Sequence, residues 1–510
     1  MCSPFSSPSR ESRSTNAPNG TVRSLTSTSI IIAKYSLRTL CEMSTMFPPY
    51  LVHSAETLAM MPLLSLPVTV MTAFICFLRV FFSNYISKKR LLQEDCVDSG
   101  RKSRYNSNKS ASTRAQNGNG RRFAAMLIRE LRDDELYKSA KLSALAFSYA
   151  VNIEEKKKET LKEHTFGAFL DDNETLIAQV VAIDYVSFHN GTPVGAVGIA
   201  GVASSPEHRR AGAVRAIFDH LFSIAGEQGW ELSYLYPFSY RYYRKFGYER
   251  AVRNRTLTVA LPALGGIPRN SGAALLESDD SLPELLALYN RFAARYNACF
   301  MRRDGKYFPL DPYRTQNYFY LWRDESGEAR GYFQARPNGR TLDILELVYL
   351  DRASLLGLLG FMRMFEGQFD TVSFRRLEQG SPVELLIDCD RSASFGAYDA
   401  AMGRVLDVPA CLRRMRAEAG QTLSLRITDD TCPKNTGLYR LAFTDGETVV
   451  EKCAEGEADA SMTVNAFSLL ALAGASEAEL DYVDGLTVYG KRPLLVRLFA
   501  RRPINLFEQF

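Results

Sequence analysis

At 510 residues the chain is too long for one core, and about three domains are expected. Hydrophobic residues make up 46% and charged residues 23%, as in ordinary soluble proteins, and a net charge of +5 is too mild to argue for nucleic acid. Nine cysteines form no C-x-x-C pair and five histidines no H-E-x-x-H motif, so the expectation is reduced cytoplasmic thiols and no metal.

Residues 1–125 differ from the rest. They open Ser/Thr/Pro/Asn-rich, a composition with too little apolar surface to order itself. Leu58 to Leu78 then runs 21 residues without a charge, and Lys88-Lys89-Arg90 follows a second apolar piece. That length and basic flank suit a membrane tether over residues 58–86. The alternative is a spurious or disordered extension, because Met126 opens a natural first strand with its own start codon. Both readings stand at this point, the second ahead of the first.

From Met126 to Leu131 a short strand is predicted, then a helix from Glu135 to about Tyr149 that Asp133-Asp134 can cap. Glu154-Glu155-Lys156-Lys157-Lys158 reads as a charged, solvated helix. Thr165 to Asp171 and Leu176 to Phe188 read as strands, and Asn190-Gly191 between alternating runs predicts a hairpin returning through Val194 to Ser204. A turn containing His208-Arg209-Arg210-Ala211-Gly212 opens a helix with Val214, Ile217, Phe218, Leu221 and Phe222 on its apolar face. Leu232 to Tyr236 is the next strand. Ser239 is placed to cap a short helix carrying Tyr242 and Tyr243.

A strand delivering Arg-x-x-Gly to a helix start presents backbone N–H groups, and the positive helix end, to a phosphate. The tetrad alone is weak, and surface ion pairs are the competing role for Arg209 and Arg210. In this order, with Tyr243-Arg244-Lys245-Phe246-Gly247-Tyr248 following, the stretch resembles the GNAT superfamily of acyl-CoA N-acyltransferases. His208-Arg209-Arg210-Ala211-Gly212-Ala213-Val214-Arg215-Ala216 narrows that to its Eis (enhanced intracellular survival) branch. The resemblance covers about 126–510 and implies α/β mixed sheets in tandem GNAT folds. The implied limits are a catalytic domain over 126–270, a degenerate second over 271–404, and a sterol-carrier-protein-like domain over 405–510. No Arg-x-x-Gly follows Leu350-Asp351, where the second domain would need it.

What the resemblance implies for chemistry is direct attack of an amine on acetyl-CoA. Val202, Ala203 and Ser204 would pair along the pantetheine, while Arg209, Arg210, Gly212 and Ala213 would cradle the pyrophosphate. Tyr243 stands at the general-acid position, with packing among neighbouring tyrosines as its competing role. The α-carboxylate of Phe510 stands at the general-base position. The implied substrates are primary amines, either aminoglycosides or other polyamines, and the implied assembly is a hexamer. Gln509 and Tyr149 replace two acidic substrate contacts of the drug-acetylating members, and Glu154, Glu155 or Glu508 are the available substitutes. Two alternatives remain: a lipid-binding or scaffold protein with an inert acetyltransferase fold, and a protein lysine acetyltransferase.

Overall fold

A computed structural model describes residues 111–113 and 126–510, Gln379 excepted; the apolar stretch 58–86 and the rest of the N-terminal extension lie outside them. Thirteen strands form one mixed sheet. In chain order these are β1 (Ala111–Thr113), β2 (Met126–Glu130), β3 (His164–Phe169), β4 (Leu176–His189), β5 (Thr192–Ser204), β6 (Leu232–Leu235) and β7 (Glu249–Ala260). They continue as β8 (Ala273–Leu275), β9 (Tyr318–Arg323), β10 (Ala329–Asn338), β11 (Thr341–Tyr349), β12 (Thr371–Leu377) and β13 (Ser394–Val405). The spatial order is β1-β2-β3-β4-β5-β6-β13-β7-β12-β11-β10-β9-β8.

The sheet is made of two similar halves that share their central strands. β5 and β6 pair in parallel in the first half, as β11 and β12 do in the second. Between the halves, β7 joins β12 antiparallel, and β13 returns to wedge between β6 and β7. The hairpin at Asn190-Gly191 has φ of 51° and 78°, the two positive values a two-residue turn needs to match strand twist. Of the expected helix caps, Ser239 accepts from the Tyr242 N–H. Asp133 and Asp134 instead lie in a 3-10 turn, where the Glu135 carboxylate accepts the Arg132 N–H.

Helix α1 (Leu136–Phe147) lies on one face of the first half and α2 (Ala213–Ile224) on the other. Ile217, Phe218, Leu221 and Phe222 recur at helical spacing on α2 and are buried against Phe166, Ala178, Val180, Val197 and Ile199. Burying each large side chain is worth about 1.5–3 kcal/mol, so this stripe sets the helix on the sheet.

The chain then forms a separate five-stranded sheet ordered β16-β15-β14-β17-β18. Its strands are β14 (Thr422–Thr428), β15 (Gly437–Phe443), β16 (Thr448–Cys453), β17 (Ala460–Thr463) and β18 (Leu486–Val488). Helix Val464–Leu472 packs back on β13 and β7. The last ten residues are extended and re-enter the first sheet's surroundings, where Asn297 bridges Ile504 in parallel.

Candidate active site

β5 and β6 pair only from Ala196↔Leu232 to Ile199↔Leu235, after which β6 ends and β5 runs on alone to Ser204. The edge of β5 from Ala200 to Ser204 is therefore open on its β6 side. β5 is also bulged here: its pairing with β4 steps from Ala200↔Val181 to Ala203↔Gln179, and Gly201 sits at φ 54°. A bulge turns backbone N–H groups out of the ladder. Gly201 and Val202 fall in the gap of that pairing, and Val202, Ala203 and Ser204 run along the open edge, a slot that an extended amide chain would fit.

Past a 3-10 turn at Pro206–His208, Arg210 takes φ 67° and Gly212 φ 86°, and α2 begins at Ala213. No side chain caps α2, so its first-turn N–H groups face outward. A Cβ added at Gly212 would meet nothing within 4 Å, so the space in front of the helix is open. Among the described residues neither Arg209 nor Arg210 has an ion-pair partner, and both are exposed. Two exposed guanidinium groups, uncapped N–H groups and clear space fit a pyrophosphate. The matching position of the second half is closed. There the helix Arg352–Met362 is capped by Asp351, whose carboxylate accepts from Ser354 N at 2.8 Å and takes Arg330 as well.

Tyr243 lies in the short helix Tyr240–Arg244 and is 3% exposed. Its ring meets Phe218, Phe238, Tyr242 and Tyr248 edge-on at 5.2–6.4 Å. Burial pushes its phenol well above the usual tyrosine value, so it holds its proton throughout the physiological range. The turn that follows is clamped from afar. Arg404, at the end of β13 and fully buried, donates to Phe246 O and pairs with Asp429 Oδ2 at 2.8 Å. Its guanidinium lies 4.1 Å over the Phe222 ring, and a Cβ at Gly247 would overlap it. Gly247, at φ 80°, is therefore required twice, for its backbone and for the arginine beside it.

Phe510 lies on the opposite face of the sheet from Tyr243. Its ring packs on Tyr236 at 5.3 Å, Tyr185 at 5.4 Å and Phe300 at 5.9 Å. It also fills the space that a side chain at Gly198 would take: a Cβ there would meet Tyr185 at 2.7 Å and Phe510 at 2.9 Å. Gly198 is in the last paired turn of β5 before the slot opens, so the end of the chain lies at the point where β5 and β6 part.

The tail is tied down along its length. Asn505 N donates to Asn297 O at 3.1 Å, Arg376 donates to Phe507 O and Tyr236 to Glu508 O, while Leu506 and Phe507 are buried. Glu508 is bound most deeply. Arg302 Nε donates to its Oε1 at 2.9 Å and, through Nη1 and Nη2, to Glu346 at 2.9 and 2.7 Å. Tyr289 adds a bond to Glu508 at 3.2 Å, and Tyr332 donates to Glu346.

Of the substitute acids named from sequence, Glu508 is thus engaged by Arg302, and Glu154 pairs with Lys157 at 2.8 Å on the surface. Gln509 and Tyr149 are exposed. Gly198, Arg302 and Arg404 were not singled out from sequence. The one signal available was a glycine inside an alternating strand, which marks close approach of another group.

Three family models match the chain: an acetyltransferase (GNAT) domain at 127–251, a second acetyltransferase (GNAT) domain at 299–405 and a sterol carrier protein domain at 408–504. No curated protein matches. Among solved structures, a conserved protein of Enterococcus faecalis V583 described as a probable N-acyltransferase is 23% identical, with a TM-score of 0.65 over 76% of this chain and 100% of that one. A GCN5-related N-acetyltransferase from Anabaena variabilis is 20% identical, with a TM-score of 0.63 over 76% and 100%. Eis1 from Mycobacterium abscessus is 20% identical, with a TM-score of 0.61 over 75% and 100%. At these identities the likeness is one of fold.

Proposed function

We infer that this chain, an Eis-like protein of two GNAT acetyltransferase domains and a sterol carrier protein domain, acetylates primary amines from acetyl-CoA in its first GNAT domain. The observation that carries the reading is the open, bulged edge of β5, running into an uncapped helix start at one end and Phe510 at the other. Bound acetyl-CoA would supply the acetyl thioester. Val202, Ala203 and Ser204 would hold its pantetheine amides. Arg209, Arg210, Gly212 and Ala213 would hold its pyrophosphate by charge and by main-chain N–H groups. A backbone N–H of the bulge would donate to the oxygen on which charge develops.

Two proton transfers remain. We assign Tyr243 as the acid that protonates the departing sulfur: it stands at the family's acid position, in the short helix that follows β6, and its phenol is protonated at neutral pH. The α-carboxylate of Phe510 would take the proton from the attacking amine, directly or through a water. The ring packing of Phe510 and the tied tail support that role, because a base must be held within reach of its proton.

The amines in view are aminoglycosides and other polyamines; Glu508, the acid nearest the end of the chain, is buried and held by Arg302, so it is not an exposed contact for a polycation. We also propose the domain limits 126–270, 271–404 and 405–510, and a cytoplasmic hexamer by likeness to the family. Against an inert scaffold stands the contrast between the open helix start at Gly212 and the closed one at Asp351. Release of thiol from acetyl-CoA across a panel of polyamines, aminoglycosides and lysine peptides tests the reading; no release above hydrolysis with any amine would reject it.

A further inference from the structure

A cavity of about 340 Å³ lies where the β4–β5 hairpin meets the C-terminal domain, lined by Asn190, Thr192, Arg414, Arg416 and Arg502. Its size is at the lower end of small-molecule sites, roughly 300–1,000 Å³. Three guanidinium groups face it and one carboxylate answers them: Arg414 pairs with Glu231. Among the described residues Arg416 and Arg502 have no ion-pair partner. Arg416 donates to Arg413 O at 2.6 Å and to Met415 O at 2.8 Å, and Arg502 to Leu498 O at 3.4 Å. The main chain therefore holds two cations in place without neutralising them.

Two further observations point the same way. His189, 1% exposed, lies behind Arg414, whose Nε is 3.5 Å from its Nδ1, and its Nε2 is 3.1 Å from Ala471 O. Burial and then the charges of Arg414 and Arg502 push this imidazole down to about 4, so the site stays free of a further charge at neutral pH. The Asn190 side chain lines the same cavity, and its amide carries N–H donors suited to an anion. The Thr192 hydroxyl is exposed at the rim.

We propose that this cavity binds a phosphate monoester, whose dianion matches the two guanidinium charges left unanswered and whose oxygens accept from Arg414, Arg416, Arg502 and Asn190. Arginine forks are suited to phosphate oxygens. The site is also joined to the tail. Arg502 stands eight residues before Phe510, and the Asn190 N–H donates at 2.7 Å to the side chain of Asn297, the residue that bridges Ile504. A bound dianion would relieve repulsion among the three arginines and hold the base of the tail.

The test uses the full chain saturated with coenzyme A, so that the Arg209–Arg210 cradle is filled, at constant ionic strength. Glycerol 3-phosphate is titrated by calorimetry and thermal shift, and vesicles of phosphatidylcholine with phosphatidic acid are tested by co-sedimentation. Expected is saturable binding to at least one probe, weakened about tenfold or more in Arg416→Ala as for a lost charge-assisted bond, with turnover in the absence of probe unchanged. Binding of glycerol 3-phosphate alone assigns a soluble ester, and vesicle capture alone a lipid headgroup. Binding of neither probe, equal binding by Arg416→Ala, or the same shift with sodium chloride would overturn the proposal.

Discussion

Replacing Arg302 by methionine removes the single cation that serves two buried carboxylates. The Arg302, Glu346 and Glu508 side chains are 4%, 5% and 2% exposed, so none can turn to solvent in place. Breaking a buried pair by removing one partner costs about 3–5 kcal/mol. The protein has one escape, because Glu508 belongs to the tail: detaching the tail hydrates Glu508 at the expense of Leu506 and Phe507. Burial of those two side chains is worth roughly 3–6 kcal/mol together. The two terms are of one size, so Arg302→Met is expected to populate the detached tail heavily as well as to lower the melting temperature, by about 5–10 °C. Thermal unfolding and the rate of carboxypeptidase digestion of the C-terminus read the two effects. Adding Glu346→Gln and Glu508→Gln to Arg302→Met removes the unpaired charges and is expected to restore part of the stability. An Arg302→Met protein with wild-type melting and wild-type resistance to carboxypeptidase would refute the reasoning.

Tyr243→Phe keeps the edge-on ring contacts and deletes the proton, so kcat is expected to fall ~10²-fold or more with binding of acetyl-CoA retained; steady-state thiol release checks it. Gly198→Ala presses a Cβ into the Phe510 ring from 2.9 Å. The ring must shift by tenths of an ångström, and kcat is expected to fall ~10- to 100-fold, with acetyl-CoA affinity by calorimetry unchanged. His189, held down to about 4 in the fold, ionises near 6.5 when unfolded. The unfolded chain therefore binds the proton first: stability is full above pH 6.5 and declines as pH falls toward 4, by up to about 3 kcal/mol. His189→Gln should flatten that part of a denaturant-derived stability profile between pH 7 and 4.5.

Local signals carried the first half of the fold. The Asn190-Gly191 turn, the alternation of β4 and β5, and the stripe on α2 are all set by neighbours within a few residues, and each element formed where its pattern lay. The open helix start was legible because Arg209 to Gly212 is contiguous. What long-range pairing decides was not legible. Nothing in Ser394–Val405 announces that it leaves the second half and wedges between β6 and β7. Arg302 and Glu508 are 206 residues apart, and Arg404 reaches Phe246 across 158. A lone arginine in sequence gives no sign that it will be fully buried. Phe510 was picked by its place at the end of the chain, whereas the pocket that receives it, made by Gly198, Tyr185, Tyr236 and Phe300, emerges only when strands and tail meet.

The central claim joins the open edge of β5 to the α-carboxylate of Phe510 as one catalytic site. Its most direct measurement is the single-turnover rate of acetyl transfer in a protein extended by one glycine after Phe510, compared with the unextended chain at equal occupancy by acetyl-CoA. The extension leaves the Phe510 ring, Glu508 and the cradle in place and moves only the carboxylate. The account predicts a loss of at least ~10²-fold in the transfer rate with acetyl-CoA binding unchanged. Transfer at the unextended rate would contradict it.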